Sequence, residues 1–268
     1  MSPFEAQRCL QVGLDAAFAA GPVALEYFRR RVVVEDKRHD GYYDPVTEAD
    51  RRVEAMIRDR LLQAFPDHRI AGEEHGTIGE GSTYWSIDPI DGTRSFISGM
   101  PTWGILLGLV VDDRPLVGIV HQPFTGETWY AAPGIGARLR IGGSEVELRT
   151  RADVTLADAV LFSTHPTMFQ PPHMLERYQR LASRCRLQRW GGDCYAFALV
   201  AQGTIDLMVD GSLMPYDILP LVPIIEGAGG IVTDLTGRTP LEGGTVIAAA
   251  NPALHAAALE FMTDRRAL

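Results

Sequence analysis

Between Trp103 and Arg140 the chain alternates short β-rich runs with turn signals, and no other stretch limits the fold as strongly. The runs cover 103–111, 115–122, 127–132 and 137–140, separated by Asp112-Asp113, Pro123 to Gly126 and Pro133-Gly134. Links this short join antiparallel neighbours, because a parallel crossover needs about a dozen residues or more. The spacing predicts an antiparallel meander, not a strict βαβ alternation.

Helical and strand patterns flank the meander. Over 3–30, Phe4, Leu10, Leu14, Ala17, Phe18, Val23, Leu25 and Phe28 fall on one helical face, with an interruption expected at Gly21-Pro22. Residues 31–46 read as extended or looped. Thr47 to Phe65 predicts a second helix, capped by Thr47 with Asp50 three positions on, and striped by Val53, Met56, Ile57, Leu61, Leu62 and Phe65. His68–Gly72 and Tyr84–Asp88 are strand candidates. In the second half, strands are expected at 159–162, 205–209, 231–233 and 245–249. Helices are expected at 171–184, 194–203, 217–229 and from 252 onward. These predict layered helices and sheets in two subdomains, 1–154 and 155–268.

Composition narrows the partners. A formal net charge of -9 argues against a nucleic-acid or membrane-surface binder, which needs a basic face. Such a protein still binds phosphate where metal ions supply local positive charge. The 3 cysteines, Cys9, Cys185 and Cys194, lack CxxC spacing and read as free thiols in a reducing compartment. Glu5, Asp15 and Glu26 interrupt the N-terminal apolar pattern, so no secretory signal is expected there, nor any bilayer-spanning run. A cytoplasmic location is expected.

The chemistry concentrates in acids: Asp44 to Asp50, Gly72-Glu73-Glu74, Asp88-Pro-Ile-Asp91-Gly-Thr93, Asp210 and Tyr216-Asp217. The hydrophobic run Trp85-Ser86-Ile87 ends in Asp88, and Pro89 is expected to force a turn. Asp91 follows three positions later, so both carboxylates can point to one place. Gly92 permits close backbone approach, and Thr93 offers a hydroxyl beside backbone N–H groups. Convergent carboxylates repel unless a basic side chain or a hard metal sits between them. Oxygen ligands without nearby His or Cys favour Mg²⁺ over zinc, with Glu73 and Asp217 completing the set. Taken singly, each motif has a plainer reading. Asp-Pro-x-Asp-Gly is commonly a surface turn, Gly-Glu-Glu a solvated loop, and Asp217 a helix cap. Their combination carries the functional reading.

In order along the chain, Asp44-Pro-Val-Thr-Glu-Ala-Asp50, Gly72-Glu-Glu, Asp88-Pro-Ile-Asp-Gly-Thr93, Tyr216-Asp217 and Gly227-Ala-Gly-Gly230 resemble the inositol monophosphatase superfamily. The resemblance implies an α/β/α/β/α layered sandwich of mixed and antiparallel sheets, a magnesium-dependent phosphatase and a homodimer. It implies that Glu73, Asp88 and the Ile90 carbonyl ligate one metal, and Asp88, Asp91 and Asp217 a second, with two or three Mg²⁺ ions per site. Asp50 and Thr93 would orient the attacking water, with Glu73 close to it and Glu74 an accessory acid. Gly92 and Thr93 amides would meet phosphate oxygens, and Lys37 would be the basic residue of a mobile loop. His75 carries no assigned role and reads as an exposed loop residue.

Arg94 to Trp103, His121 to Glu127, Trp190 to Tyr195 and Pro215 to Leu219 look most like the histidinol-phosphate phosphatase branch. That branch places Arg189, Gly192, Asp193, Cys194 and Asp210 around the substrate. Histidinol carries an ammonium and an imidazole, which suit Asp193 and Asp210. Asp193 also reads as a helix cap, and Arg189 as a partner in a surface ion pair. Inositol 1-phosphate and sugar or nucleotide phosphates remain alternative substrates. A catalytically silent metal-binding protein is a third reading, disfavoured by the retained acids.

Overall fold

The computed structural model describes residues 1–31, 33–36 and 45–263. Lys37 and the 37–43 segment lie outside the described residues. The chain forms helices α1 (Pro3–Leu25) and α2 (Glu48–Ala64), with a small hairpin of β1 (Val34–Asp36) and β2 (Pro45–Thr47) between them. Next come β3 (Arg69–Gly72), β4 (Gly76–Ile78), β5 (Thr83–Asp91) and the short helix α3 (Thr93–Ser98). The expected meander follows as β6 (Gly104–Val111), β7 (Arg114–Gln122), β8 (Glu127–Ala132) and β9 (Gly136–Ile141), extended by β10 (Ser144–Glu147). These build an 8-stranded sheet ordered β10-β9-β8-β7-β6-β5-β3-β4, antiparallel except where β3 runs parallel to β5.

The second half contributes β11 (Val160–Ser163), α4 (His173–Ala182), β12 (Leu187–Trp190), α5 (Asp193–Ala201) and β13 (Leu207–Leu213). Then come α6 (Pro215–Ile218), α7 (Leu221–Gly227), β14 (Ile231–Asp234), β15 (Gly244–Ala249) and α8 (Pro252–Thr263). Their 5-stranded sheet is mixed and ordered β12-β11-β13-β15-β14.

Alternation along the strands sorts the core of five layers into three apolar clusters, the middle one covering both faces of the central helices. Ile105, Leu107 and Leu109 of β6 join α1 and α2, whereas Leu106 joins α5 and α7 on the opposite face. On the second sheet, Met208, Val246 and Ala248 meet α5 and α7. Leu207, Val209, Ile247 and Ala249 meet α4 and α8. The order is helices, sheet, helices, sheet, helices, which is the α/β/α/β/α sandwich expected.

Several local expectations give way to packing. Phe4 is 77% exposed, because the buried face of α1 begins at Ala6 and Cys9. α1 runs through Gly21-Pro22 without interruption. A proline there costs one helical hydrogen bond, but buried Ala20, Val23 and Ala24 hold this turn in the core. The expected helix 217–229 divides at Pro220, which sits at the N-cap of α7. The turn expected at Pro89 is a continued strand. Asp88 faces Leu106 and Asp91 faces Gly104, so three steps on β5 oppose two on β6. A bulge tolerates proline because it leaves a residue outside the ladder.

Candidate active site

Strand alternation delivers Asp88. Trp85 and Ile87 pack toward α1 and α2, so Ser86 and Asp88 face the central layer. The bulge then re-aims the chain, and Asp91 ends the strand. Asp88 Oδ1 accepts the Ile90 N–H at 3.1 Å, and the Thr93 hydroxyl donates to the Ile90 carbonyl at 3.1 Å. Gly92 takes a left-handed φ of 81°, which turns the strand directly into α3.

Asp217 arrives from the other half of the chain. Gly118 of β7 lets the link after α6 lie against the first sheet, since a Cβ there would stand 1.9 Å from the Pro220 carbonyl oxygen. Asp217 Oδ2 accepts the Met214 N–H at 2.7 Å, so it does cap α6. It also joins Asp88 and Asp91 in one cluster whose carboxylate oxygens lie within 4.8 Å of one another.

That cluster is electrostatically unfavourable without a counter-charge. Burial pushes the Asp88 carboxyl well above its ordinary range, and the carboxylates of Glu73, Asp91 and Asp217 push it further. Burial likewise raises Asp91, with Asp217 and Asp193 adding repulsion, against a Cys194 N–H that favours the ionised form. A cation among these oxygens removes the conflict. The donors are all oxygens, as a hard divalent ion requires.

A cavity of about 300 Å³ opens over the cluster. Glu73, Asp88, Ile90, Asp91, Gly92, Thr93, Asp193, Cys194, Asp210 and Asp217 all line it. Expected residues from both halves of the chain thus converge on one space. Asp193 Oδ2 accepts the hydroxyls of Ser95 at 2.6 Å and Thr102 at 2.9 Å. Asp210 accepts the Ser163 hydroxyl at 2.7 Å and the Thr164 N–H and hydroxyl at 2.8 and 2.6 Å. Burial pushes Asp210 up to about 7 despite these donors, and burial raises Asp193 in the same direction.

The family profile described as "Inositol monophosphatase family" matches residues 5–264. The chain belongs to the inositol monophosphatase family. As a member it is a phosphatase, a hydrolase of phosphate esters. The chloroplastic bifunctional phosphatase IMPL2 of Arabidopsis thaliana is 37% identical, over 97% of this chain and 76% of its own length. A histidinol-phosphatase of Chlorobaculum parvum is 38% identical, over 91% of this chain and 93% of its own. Among solved structures, an inositol monophosphatase from Zymomonas mobilis superposes with a TM-score of 0.84 at 35% identity, over 98% of this chain and 99% of that one.

Among the expected residues of this inositol monophosphatase, Arg189, Gly192, Asp50 and Glu74 do not line this cavity. Arg189 is exposed on β12, an edge strand, and does not line the cavity. Gly192 is buried beneath α5, where a Cβ would stand 2.3 Å from that of Ala196. Asp50 is buried in the capping box of α2, with Oδ2 accepting the Thr47 N–H at 2.8 Å and hydroxyl at 2.6 Å. Burial pushes Asp50 up to about 6. It is not among the residues that line the cavity. The sequence reading also missed Arg94, Thr164, Met168, Phe197 and Tyr216 as lining residues. Thr164 is the most consequential of these. Its hydroxyl accepts the Asp193 N–H at 3.1 Å while donating to Asp210, so it ties the two pocket carboxylates together. Ser95 and Thr102 lie inside the Arg94–Trp103 segment, and their polarity is the signal the sequence offers.

Proposed function

We propose that the protein is a magnesium-dependent phosphomonoesterase that hydrolyses L-histidinol phosphate to L-histidinol and phosphate. The observation that carries the substrate is the pair Asp193 and Asp210. Both are buried and both line the cavity of the Asp88–Asp91–Asp217 cluster. The hydrogen bonds described above come to them from neutral hydroxyls and an amide, so a cationic alcohol adds charge compensation. The name of the Chlorobaculum parvum relative supports the same reading.

Glu73, Asp88, Asp91, Asp217 and the Ile90 carbonyl would hold Mg²⁺, each from the cavity wall. Bound Mg²⁺ supplies positive charge to the phosphate oxygens and lowers the pKa of a coordinated water. The chain's own groups do the positioning. The Cys194 N–H fixes Asp91 from the start of α5. The bulge and Gly92 bring Thr93 to the cavity, where its hydroxyl and the first amides of α3 would meet a bound phosphate. Asp193 and Asp210 bind the leaving alcohol.

An inositol or sugar phosphate is the second reading, because its hydroxyls also donate to carboxylates, and the Zymomonas mobilis neighbour carries that name. Measuring kcat/KM side by side on L-histidinol phosphate and inositol 1-phosphate separates the two. Equal or higher efficiency on inositol 1-phosphate overturns the histidinol assignment. The proposal includes a cytosolic homodimer, in keeping with the family resemblance. Among the described residues no helix is long and apolar enough to cross a membrane. It also includes the division into 1–154 and 155–268, supported by the gap between β10 and β11, which ends one sheet before the other begins.

A further inference from the structure

Glu54 is a fully buried carboxylate for which the proposed chemistry has no use. It lies on α2 and reaches the 72–76 turn that carries Glu73. One oxygen, Oε2, accepts the Glu74 N–H at 2.6 Å, and Oε1 accepts the His75 N–H at 3.1 Å. Arg58 Nε donates to Oε1 at 2.6 Å, and the same guanidinium donates to the Gly76 carbonyl. From the opposite side, the Glu73 N–H donates to the Ile87 carbonyl of β5 at 3.2 Å. Gly72 makes the approach possible, because a Cβ there would stand 2.2 Å from Glu54 Oε1.

The backbone of the turn is therefore held on both flanks of Glu73. One flank is β5, the strand that bears Asp88. The other is a buried ion pair on α2. A buried ion pair contributes little net stability compared with apolar residues of the same volume, so its value here lies in fixing one geometry. We propose that Glu54, backed by Arg58, is a positioning residue: it fixes the turn so that the Glu73 carboxylate enters the cavity beside Asp88, and it thereby sets the affinity for the divalent cation. This rests on the reading of the acidic cluster as a Mg²⁺ site. Residues that orient metal ligands from behind typically change metal affinity by about 10–100-fold when altered.

The test is calorimetric titration of MgCl₂ into the metal-free full chain, with kcat read at saturating Mg²⁺. Glu54→Gln keeps the side-chain shape and removes the charge that accepts both amides. The expected result is a folded protein whose Mg²⁺ affinity falls by about 10–100-fold, with kcat recovering at high Mg²⁺. Met262→Ala, in the buried outer seam on α8, is the control: its melting temperature falls and its Mg²⁺ affinity does not. Wild-type Mg²⁺ affinity in folded Glu54→Gln overturns the proposal. If that variant does not fold, Gly72→Ala carries the test, since its methyl displaces the same carboxylate. A folded Gly72→Ala protein with unchanged Mg²⁺ affinity then overturns the proposal. Wild-type protein that takes up no Mg²⁺ overturns the metal reading beneath it.

Discussion

The Cys194 backbone N–H donates to Asp91 Oδ2 at 2.7 Å, joining residues 103 positions apart in the chain. Through this bond the start of α5, in the second half, fixes a carboxylate at the end of β5, in the first. Asp91→Asn retains an oxygen to accept that N–H and removes the negative charge. We expect its kcat/KM to fall by at least about 10³-fold, as loss of several kcal/mol of metal-centred stabilisation implies. Its circular dichroism and melting temperature without metal should match or exceed wild type, because a buried repulsion is relieved. Normal turnover in this variant refutes the assignment of Asp91 as a metal ligand.

Asp210 links pH to stability. Its folded pKa of about 7 stands above the ordinary value of 3.8, so the folded state holds a proton that the unfolded chain has released. Its contribution is fully present below pH 3.8 and is lost as pH rises through 7. His121 acts in the opposite sense, since burial lowers its pKa to about 4 and the unfolded chain binds that proton first. The difference between wild type and Asp210→Asn isolates the carboxyl. Melts in EDTA between pH 4 and 8 should show wild type losing stability relative to the variant as pH rises. Parallel curves contradict the raised Asp210 pKa.

The motif Asp88 to Thr93 was legible because its chemistry is local in sequence, and the meander because its turns are short. Local signals also misled. Pro89 reads as a turn until the ladder partner shows a bulge, and 217–229 reads as one helix until Gly118 draws Pro220 against the sheet. Arg189 has the charge of a substrate ligand, but an edge strand carries it outside the cavity. Thr164 and Glu54 were illegible for a different reason. A threonine at a strand end and a glutamate in a helix are ordinary residues, and only the tertiary fold places them against Asp210 and the Glu73 turn.

Gly92 tests the strand-to-helix turn. An alanine there must adopt the left-handed φ of 81°, with its Cβ 3.0 Å from the Asp193 Cβ. The conformation alone costs about 1–2 kcal/mol, or a fall of roughly 2–8 °C in melting temperature. Activity should fall further than stability explains, because Thr93 and Asp193 both shift. A Gly92→Ala enzyme with full kcat at a temperature where it is folded contradicts this placement.

Asp193 tests the leaving-group contact. Asp193→Asn keeps an acceptor for Ser95 and Thr102 but removes the charge. Charge-assisted hydrogen bonds contribute about 1.5–3 kcal/mol, so KM for L-histidinol phosphate should rise by roughly 10-fold or more. KM for inositol 1-phosphate, which has no cationic group, should change less. Equal shifts for both substrates argue that Asp193 only supports the wall.

The most direct test is release of inorganic phosphate from L-histidinol phosphate by EDTA-stripped enzyme titrated with Mg²⁺. The account predicts no release without metal, saturable restoration by Mg²⁺, and lower kcat/KM for inositol 1-phosphate in parallel. Release that persists at full rate in EDTA, or none at any Mg²⁺ concentration, contradicts it.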